Sequence, residues 1–465
     1  MENKTQPVTQ QLRHPLTWLL LATALAYLNA LIAGFQFDDF NIIVDNSRVH
    51  SLAAWWQSMP GIRPLLKLSY TLNWISGFGA GGFHAVNLLL HLLSVALLWR
   101  LSAFFPRPAT WTGEAVGHAR LLVTLLFALH PIQTESVTYI SGRSMLLMTS
   151  FGLAAMLCWL EADHRRRPMT WRVSALLLFA AAILSKEVAV VLPLALLLLP
   201  GKRPAQTPLL ALFVVVALML LFFLFGYQRL LTMPLPRGLA ANLISEANAL
   251  YYLLGQLVRP HALNIDPDLP ELAGWSMLSA IQIAGILGVT LLAWMQRKKR
   301  TWFIFGIGWF LLMLLPTHTL IPRMDLASER HLYLSAMGLY WLAALGLVAL
   351  LARLPGIPAM TRAALIVLLA VSGAAFTASR NQDYRDEVSL WRATVRLSPA
   401  KARVWNNLGY AYALAGHTPA ARAAFQRALE INPRHARSLA NLRDLDAGRL
   451  QPVTAISPSE NWNKP

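Results

Sequence analysis

Residues 16–40 read LTWLLLATALAYLNALIAGFQFDDF. The first part, 16–35, is uncharged and has about the length a helix needs to cross the hydrocarbon layer of a bilayer. Two adjacent carboxylates, Asp38 and Asp39, follow at once. The apolar run lies behind Lys4 and Arg13, is too long for a signal-peptide core and lacks a convincing small-residue cleavage site, so it is expected to remain as a first span. Similar runs recur at roughly 83–101, 120–139, 145–162, 172–185, 187–200, 208–226, 275–296, 301–320, 332–351 and 363–379. The expected fold class is therefore all-α, a polytopic membrane protein of about eleven transmembrane helices. The stretch 172–200 is divided in two because Ser185, Lys186 and Glu187 sit at its middle, where charge is costly in lipid.

Composition agrees, with 56% hydrophobic and 13% charged residues against roughly a quarter charged in soluble domains. A formal net charge of +18 could suggest nucleic acid. The cations instead cluster between apolar runs, so membrane topology explains them and no nucleic-acid partner is expected. With the N-terminus inside, the cytoplasmic loops carry Arg100, Arg107 and Arg120, then Arg165, Arg166, Arg167 and Arg172, then Lys202 and Arg203, then Arg297, Lys298, Lys299 and Arg300, then Arg353 and Arg362. The opposite loops hold scattered single cations, among them Arg48, Arg63, Lys67, Arg229 and Arg323. An odd number of spans puts the C-terminal tail outside, with the long loops 36–82 and 227–274. Segments 52–59 and 243–258 in these loops are amphipathic and suit the membrane surface. The single cysteine, Cys158, excludes an internal disulfide and a cysteine metal site.

The tail differs in kind. Between 402 and 435, Trp405, Leu408, Gly409, Tyr412, Ala421, Phe425, Ala428 and Pro433 fall at the positions of the tetratricopeptide consensus. One period earlier, Trp391 and Pro399 occupy the places of Phe425 and Pro433, so 386–399 reads as the second helix of a preceding repeat whose first helix is the last span. A lone repeat cannot bury its apolar faces, so docking on the membrane domain is expected. Residues 451–465, rich in Pro, Ser and Asn, read as a disordered end.

Three residue sets can carry chemistry. Asp38 and Asp39 stand near the membrane surface, where partial desolvation raises a carboxyl pKa and suits it to take a proton from a hydroxyl; a solvated helix cap is the competing reading. Arg143, Lys186 and Arg330 each lie beside a span on the same face, at the depth of a lipid-linked phosphate. For any one of them alone, snorkelling to lipid headgroups, or pairing of Lys186 and Glu187 with other loops, is the stronger competing reading. The histidines His84, His91, His130, His318 and His331 show no paired-ligand spacing. Helix-to-helix hydrogen bonding suits His91 and His130, although Asp38 or Asp39 with a histidine could hold a divalent cation.

These fragments together resemble the transmembrane and tetratricopeptide-repeat O-mannosyltransferases and their bacterial relatives in the GT-C superfamily. The resemblance rests on Asp38-Asp39, FHAVNLLLH (83–91), FALHPIQTE (127–135), SGR (141–143), SKE (185–187), ERHLYL (329–334), and Arg380-Asn381 with Trp391 before the repeat. It implies a GT-C transmembrane catalytic domain over 1–380, a periplasmic repeat domain over 381–450 and a tail over 451–465. It further implies inverting transfer of a sugar from a polyprenyl (undecaprenyl) phosphate to a hydroxyl at the outer face of a bacterial inner membrane, protein O-glycosylation being the expected class. Asp38 or Asp39 would be the base and Arg143, Lys186 and Arg330 the phosphate contacts, with Glu187, His84, His130, Glu329 and His331 as further candidates. The acceptor would be an exported protein or an envelope glycan, and the repeat could hold it or a partner protein. One complete repeat is too little for a long superhelical groove. The rival readings are an oligosaccharide ligase, a lipid- or glycan-modifying transferase, and a transporter or scaffold.

Overall fold

A computed structural model describes residues 13–450 apart from 60, 112, 201–206, 224–236, 319–321, 324, 355 and 357. The disordered end expected over 451–465, and Lys4, Lys202, Arg203 and Arg229, lie outside the described residues. Among the described residues the chain is helical and forms no strand. Among the described residues seven helical stretches are long and apolar enough to cross a membrane: Pro15–Ile32, Gly79–Phe104, Ile140–His164, Pro168–Ser185, Met277–Met295, Glu329–Ala352 and Ala359–Asp383. An eighth is composite, Gly113–Leu129 and Pro131–Val137, bent by 48° where Pro131 removes a backbone donor. The three other expected spans fall on shorter apolar helices, Glu187–Leu198, Leu210–Met219 and Thr301–Leu314. The expected eleven thus coincide with apolar helices, of which seven or eight reach spanning length. Glu187–Leu198 consists of an α-turn between two 3-10 segments, with Pro193 inside it. Lys186 is extended, with φ −159 and ψ 129, and stops the helix Pro168–Ser185.

In lipid, helices gain by close contact rather than by escape from water, so small residues mark the seams. At Gly338 an added Cβ would strike the carbonyl oxygen of Gly306, which brings Thr301–Leu314 against Leu332–Ala352. Beside that seam Trp309 is fully buried and its indole N–H donates to the Leu334 carbonyl at 2.9 Å; Trp341 donates to the Pro106 carbonyl at 2.8 Å. His91 bridges three helices, its Nε2 donating to the Ala128 carbonyl at 3.1 Å while its Nδ1 meets the Tyr333 hydroxyl at 2.7 Å. Large apolar side chains such as Leu278, Met360 and Val367 face outward, as a lipid-facing surface requires.

The tail forms Glu387–Leu397, then the paired helices Ala402–Leu414 and Thr418–Ile431, then Ala436–Asp446. Phe425 closes on Gly409 inside the pair, where a Cβ would leave no room. The repeat is fastened to the loop after Leu239–Gln256 by Asp266, which accepts from Lys401 Nζ at 2.6 Å and from Arg403 Nε at 2.8 Å. Arg403 also reaches Asp325 at 2.7 Å, and Asn264 donates to the Ser398 hydroxyl at 2.7 Å.

Two outcomes follow. Gly338→Val should destabilise the bundle by about 1–3 kcal/mol, read as a lower midpoint in a thermal aggregation assay in detergent; an unchanged midpoint would contradict the seam. Asp266→Ala should release the repeat, so that trypsin cuts after Lys401 and Arg403 faster than in the parent protein, whereas equal cleavage would place the docking elsewhere.

Candidate functional site

The loop after the first span makes a tight turn at Phe37, whose φ of +46 lies in the left-handed region and is costly for a bulky side chain by about 1–3 kcal/mol. The turn separates the two carboxylates. Asp39 is buried at 1% exposure: its Oδ2 accepts the Gln36 backbone N–H at 3.0 Å, and its Oδ1 accepts the Ser141 N–H at 2.9 Å and the Ser141 hydroxyl. Burial lifts its carboxyl to about 7, opposed by the Ser141 and Gln36 donors and aided slightly by the Asp38 charge. Asp38 is half-buried, and its backbone N–H donates to the Tyr139 hydroxyl at 2.9 Å. Gly142 is required next to Ser141, because a Cβ there would lie 2.5 Å from the Ser136 carbonyl and 2.6 Å from that of Glu135.

Cations gather at the same end of the bundle. Lys186 is 4% exposed; its Nζ has the Ser144 hydroxyl at 3.5 Å and, among the described residues, no carboxylate in ion-pair reach. Burial, then the positive charges of Arg63 and Arg330, push Lys186 well below the usual lysine range, with Glu187 offsetting part. Arg63 holds Glu187 through two parallel bonds, Nε at 2.9 Å and Nη2 at 2.7 Å. Burial would raise Glu187, but Arg63 and Lys186 hold its carboxyl well below the ordinary range. Arg330 donates its backbone N–H to Glu135 at 3.0 Å and sets its guanidinium 3.5 Å from the same carboxylate. The Asp38 charge acts on Arg330, and that of Arg323 on Lys186. Asp38 thus lies within electrostatic reach of Arg330, and Arg330 with Arg63 and Arg323 acts on Lys186.

The other expected site residues make contacts within the bundle. Arg143 is fully buried and does not join this group: its donors go to Asn87 Oδ1 at 2.7 Å and to the Ser69 and Phe83 carbonyls at 3.2 and 2.8 Å, with its plane against Tyr70 and Phe83. His84 donates to the Ala33 carbonyl at 3.1 Å and His130 to that of Leu257 at 3.0 Å. Glu329 accepts the Asn264 N–H and sits 3.5 Å from Arg380. His331 faces His318 at 3.1 Å, and His318 faces Glu246 at 2.7 Å. Among the described residues no three His, Cys, Asp or Glu side chains form a metal-ligand group. Sequence reading gave no site role to Arg63, Glu135, Tyr139 or Arg323. Only the arginines carried a signal, as isolated cations on the outer side; Glu135 and Tyr139 acquire a role only through contacts across the fold.

The tetratricopeptide repeat family matches residues 402–435. Protein O-mannosyl-transferase Tmtc3 of Drosophila melanogaster is 28% identical over 89% of this chain and 54% of its own length. Tmtc2 of the same fly is 34% identical over 35% of this chain, and human TMTC3 is 29% identical over 37%, covering 19% and 20% of those relatives. The chain thus spans about half the length of the first of these relatives and about a fifth of the other two. No solved structure matches it. Across most of its length the chain is similar to proteins named O-mannosyl-transferases, and its tail to the tetratricopeptide repeat.

Proposed function

We propose that this protein is a membrane glycosyltransferase that moves a sugar from a polyprenyl-phosphate carrier to a hydroxyl on an exported protein, at the periplasmic face of a bacterial inner membrane. The observation that carries the reading is the half-buried Asp38 within electrostatic reach of Arg330, beside Lys186, which has no carboxylate in ion-pair reach among the described residues. Similarity to the named O-mannosyl-transferases supports the reaction class. A buried lysine whose charged form is disfavoured by burial and by neighbouring cations regains its ammonium form when an anion arrives, and a lipid phosphate is an anion available at a membrane surface. Asp38 takes the acceptor hydroxyl proton as the oxygen attacks the anomeric carbon. The bond from that carbon to the phosphate oxygen breaks, its electron pair leaves with the phosphate, and Lys186 and Arg330 stabilise the added charge. Attack opposite the leaving phosphate inverts the anomeric configuration. Asp39 and Arg143 then have a different duty: they fix the loop and the turn that flank the base.

The direct test is incorporation of labelled mannose from undecaprenyl-phosphate mannose into membrane protein. Asp38→Asn should lower the rate by about 10²–10⁴-fold, the usual worth of a general base, and full activity in this variant would remove the base. Lys186→Ala should raise the donor KM by about tenfold or more, in keeping with a charge-assisted contact. For pH, Asp39 is neutral below about 7 and ionised above it. The ionised form is the stronger acceptor for Gln36 and Ser141, so activity should fall as pH drops through about 7. Asp39→Asn cannot titrate and should lose that inflection; its persistence at the same pH would assign it to another group.

A further inference from the structure

We propose that Glu387 and Trp391 are positioning residues for Asp38, so that the repeat region shapes the reaction centre directly. This rests on the reading of Asp38 as the base. Three hydrogen bonds tie the segment before Asp38 to the junction between the last span and the repeat. The Gly34 N–H donates to the Arg385 carbonyl at 3.2 Å, and the Gln36 side-chain amide donates to the Tyr384 carbonyl. The Phe37 N–H donates to Glu387 Oε1 at 2.6 Å, and the Phe37 ring stands edge-on to Trp391 at 5.0 Å and 81°.

The choice of partners is informative. Phe37 is the residue in the left-handed conformation, immediately before Asp38, and a bulky residue keeps that conformation only when its surroundings hold it. Glu387 supplies the acceptor that fixes its N–H, and Trp391 the surface that fixes its ring. Trp391 is itself 2% exposed and packs with Val404 and Leu408. It therefore belongs at once to the core of the repeat and to the support of the loop. Rotation about the Phe37 backbone would swing Asp38 away from Lys186 and Arg330, and a displacement of that kind costs rate even when donor binding is intact.

Replacing Trp391 would also disturb the repeat core, so the discriminating variants are at Glu387. Glu387→Ala removes the acceptor, while Glu387→Gln keeps a carbonyl oxygen able to accept the Phe37 N–H. With undecaprenyl-phosphate mannose as donor and membrane protein as acceptor, Glu387→Ala should lower kcat by about tenfold or more with the donor KM unchanged. Glu387→Gln should stay within about twofold of the parent, and the trypsin pattern at Lys401 and Arg403 should be the same in both. A parental kcat in Glu387→Ala, or a Glu387→Gln as impaired as Glu387→Ala, overturns the positioning role. Asp38→Asn run alongside separates the two readings: an inactive Asp38→Asn with a fully active Glu387→Ala refutes positioning alone, whereas an active Asp38→Asn refutes the base and with it this inference.

Discussion

The contact between the Asp39 carboxylate and Ser141 governs the arrangement at this end of the bundle. It joins the loop after the first span to the turn that opens Ile140–His164, two segments far apart in the chain. A buried carboxylate with one partner would be expensive; here three donors from two residues, Gln36 and Ser141, converge on it. The Ser141 turn needs Gly142, and the adjacent Arg143 locks Ile140–His164 to Gly79–Phe104 through Asn87 and Phe83. Asp38 keeps its place because these groups hold the turn around it.

Charge at the same end is arranged in a graded way. Arg63 is matched by Glu187 and Arg330 by Glu135, while Lys186 is buried without such a match among the described residues. Paired cations cost little to keep ordered, and they hold the surroundings of Lys186 positive. An anion arriving there would replace lost hydration with Lys186 and would meet guanidinium groups already oriented by their carboxylates. The repeat adds a second level of support. Its docking on Asp266 and its contacts from Glu387 and Trp391 to Phe37 make the tail part of the wall behind Asp38.

Much of the framework was legible in the sequence because it is local. Apolar runs reveal spans by their length, Ser185-Lys186-Glu187 shows a break because charge is excluded from lipid, and the spacing from Trp405 to Pro433 fixes the repeat. The division of labour between neighbouring residues was not legible. Asp38 and Asp39 are chemically identical in a string, and only the left-handed Phe37 and the distant Ser141 separate them. Arg143 and Arg330 likewise look alike as single cations beside spans, yet one is enclosed by Asn87 and aromatic rings while the other borders Glu135 and Asp38. The 3-10 geometry of Glu187–Leu198 was likewise not legible, since an apolar string reads the same in either helical form.

The most direct test of the whole account is to locate the phosphate of a bound carrier lipid, by determining the structure of the purified protein with undecaprenyl phosphate in a lipid nanodisc. The phosphate is expected within about 4 Å of Lys186 Nζ, a usual ion-pair distance, with Arg330 on its flank and Asp38 facing the position of the sugar. A phosphate seated instead at the opposite end of the bundle, near Arg120 or Arg297, would contradict it.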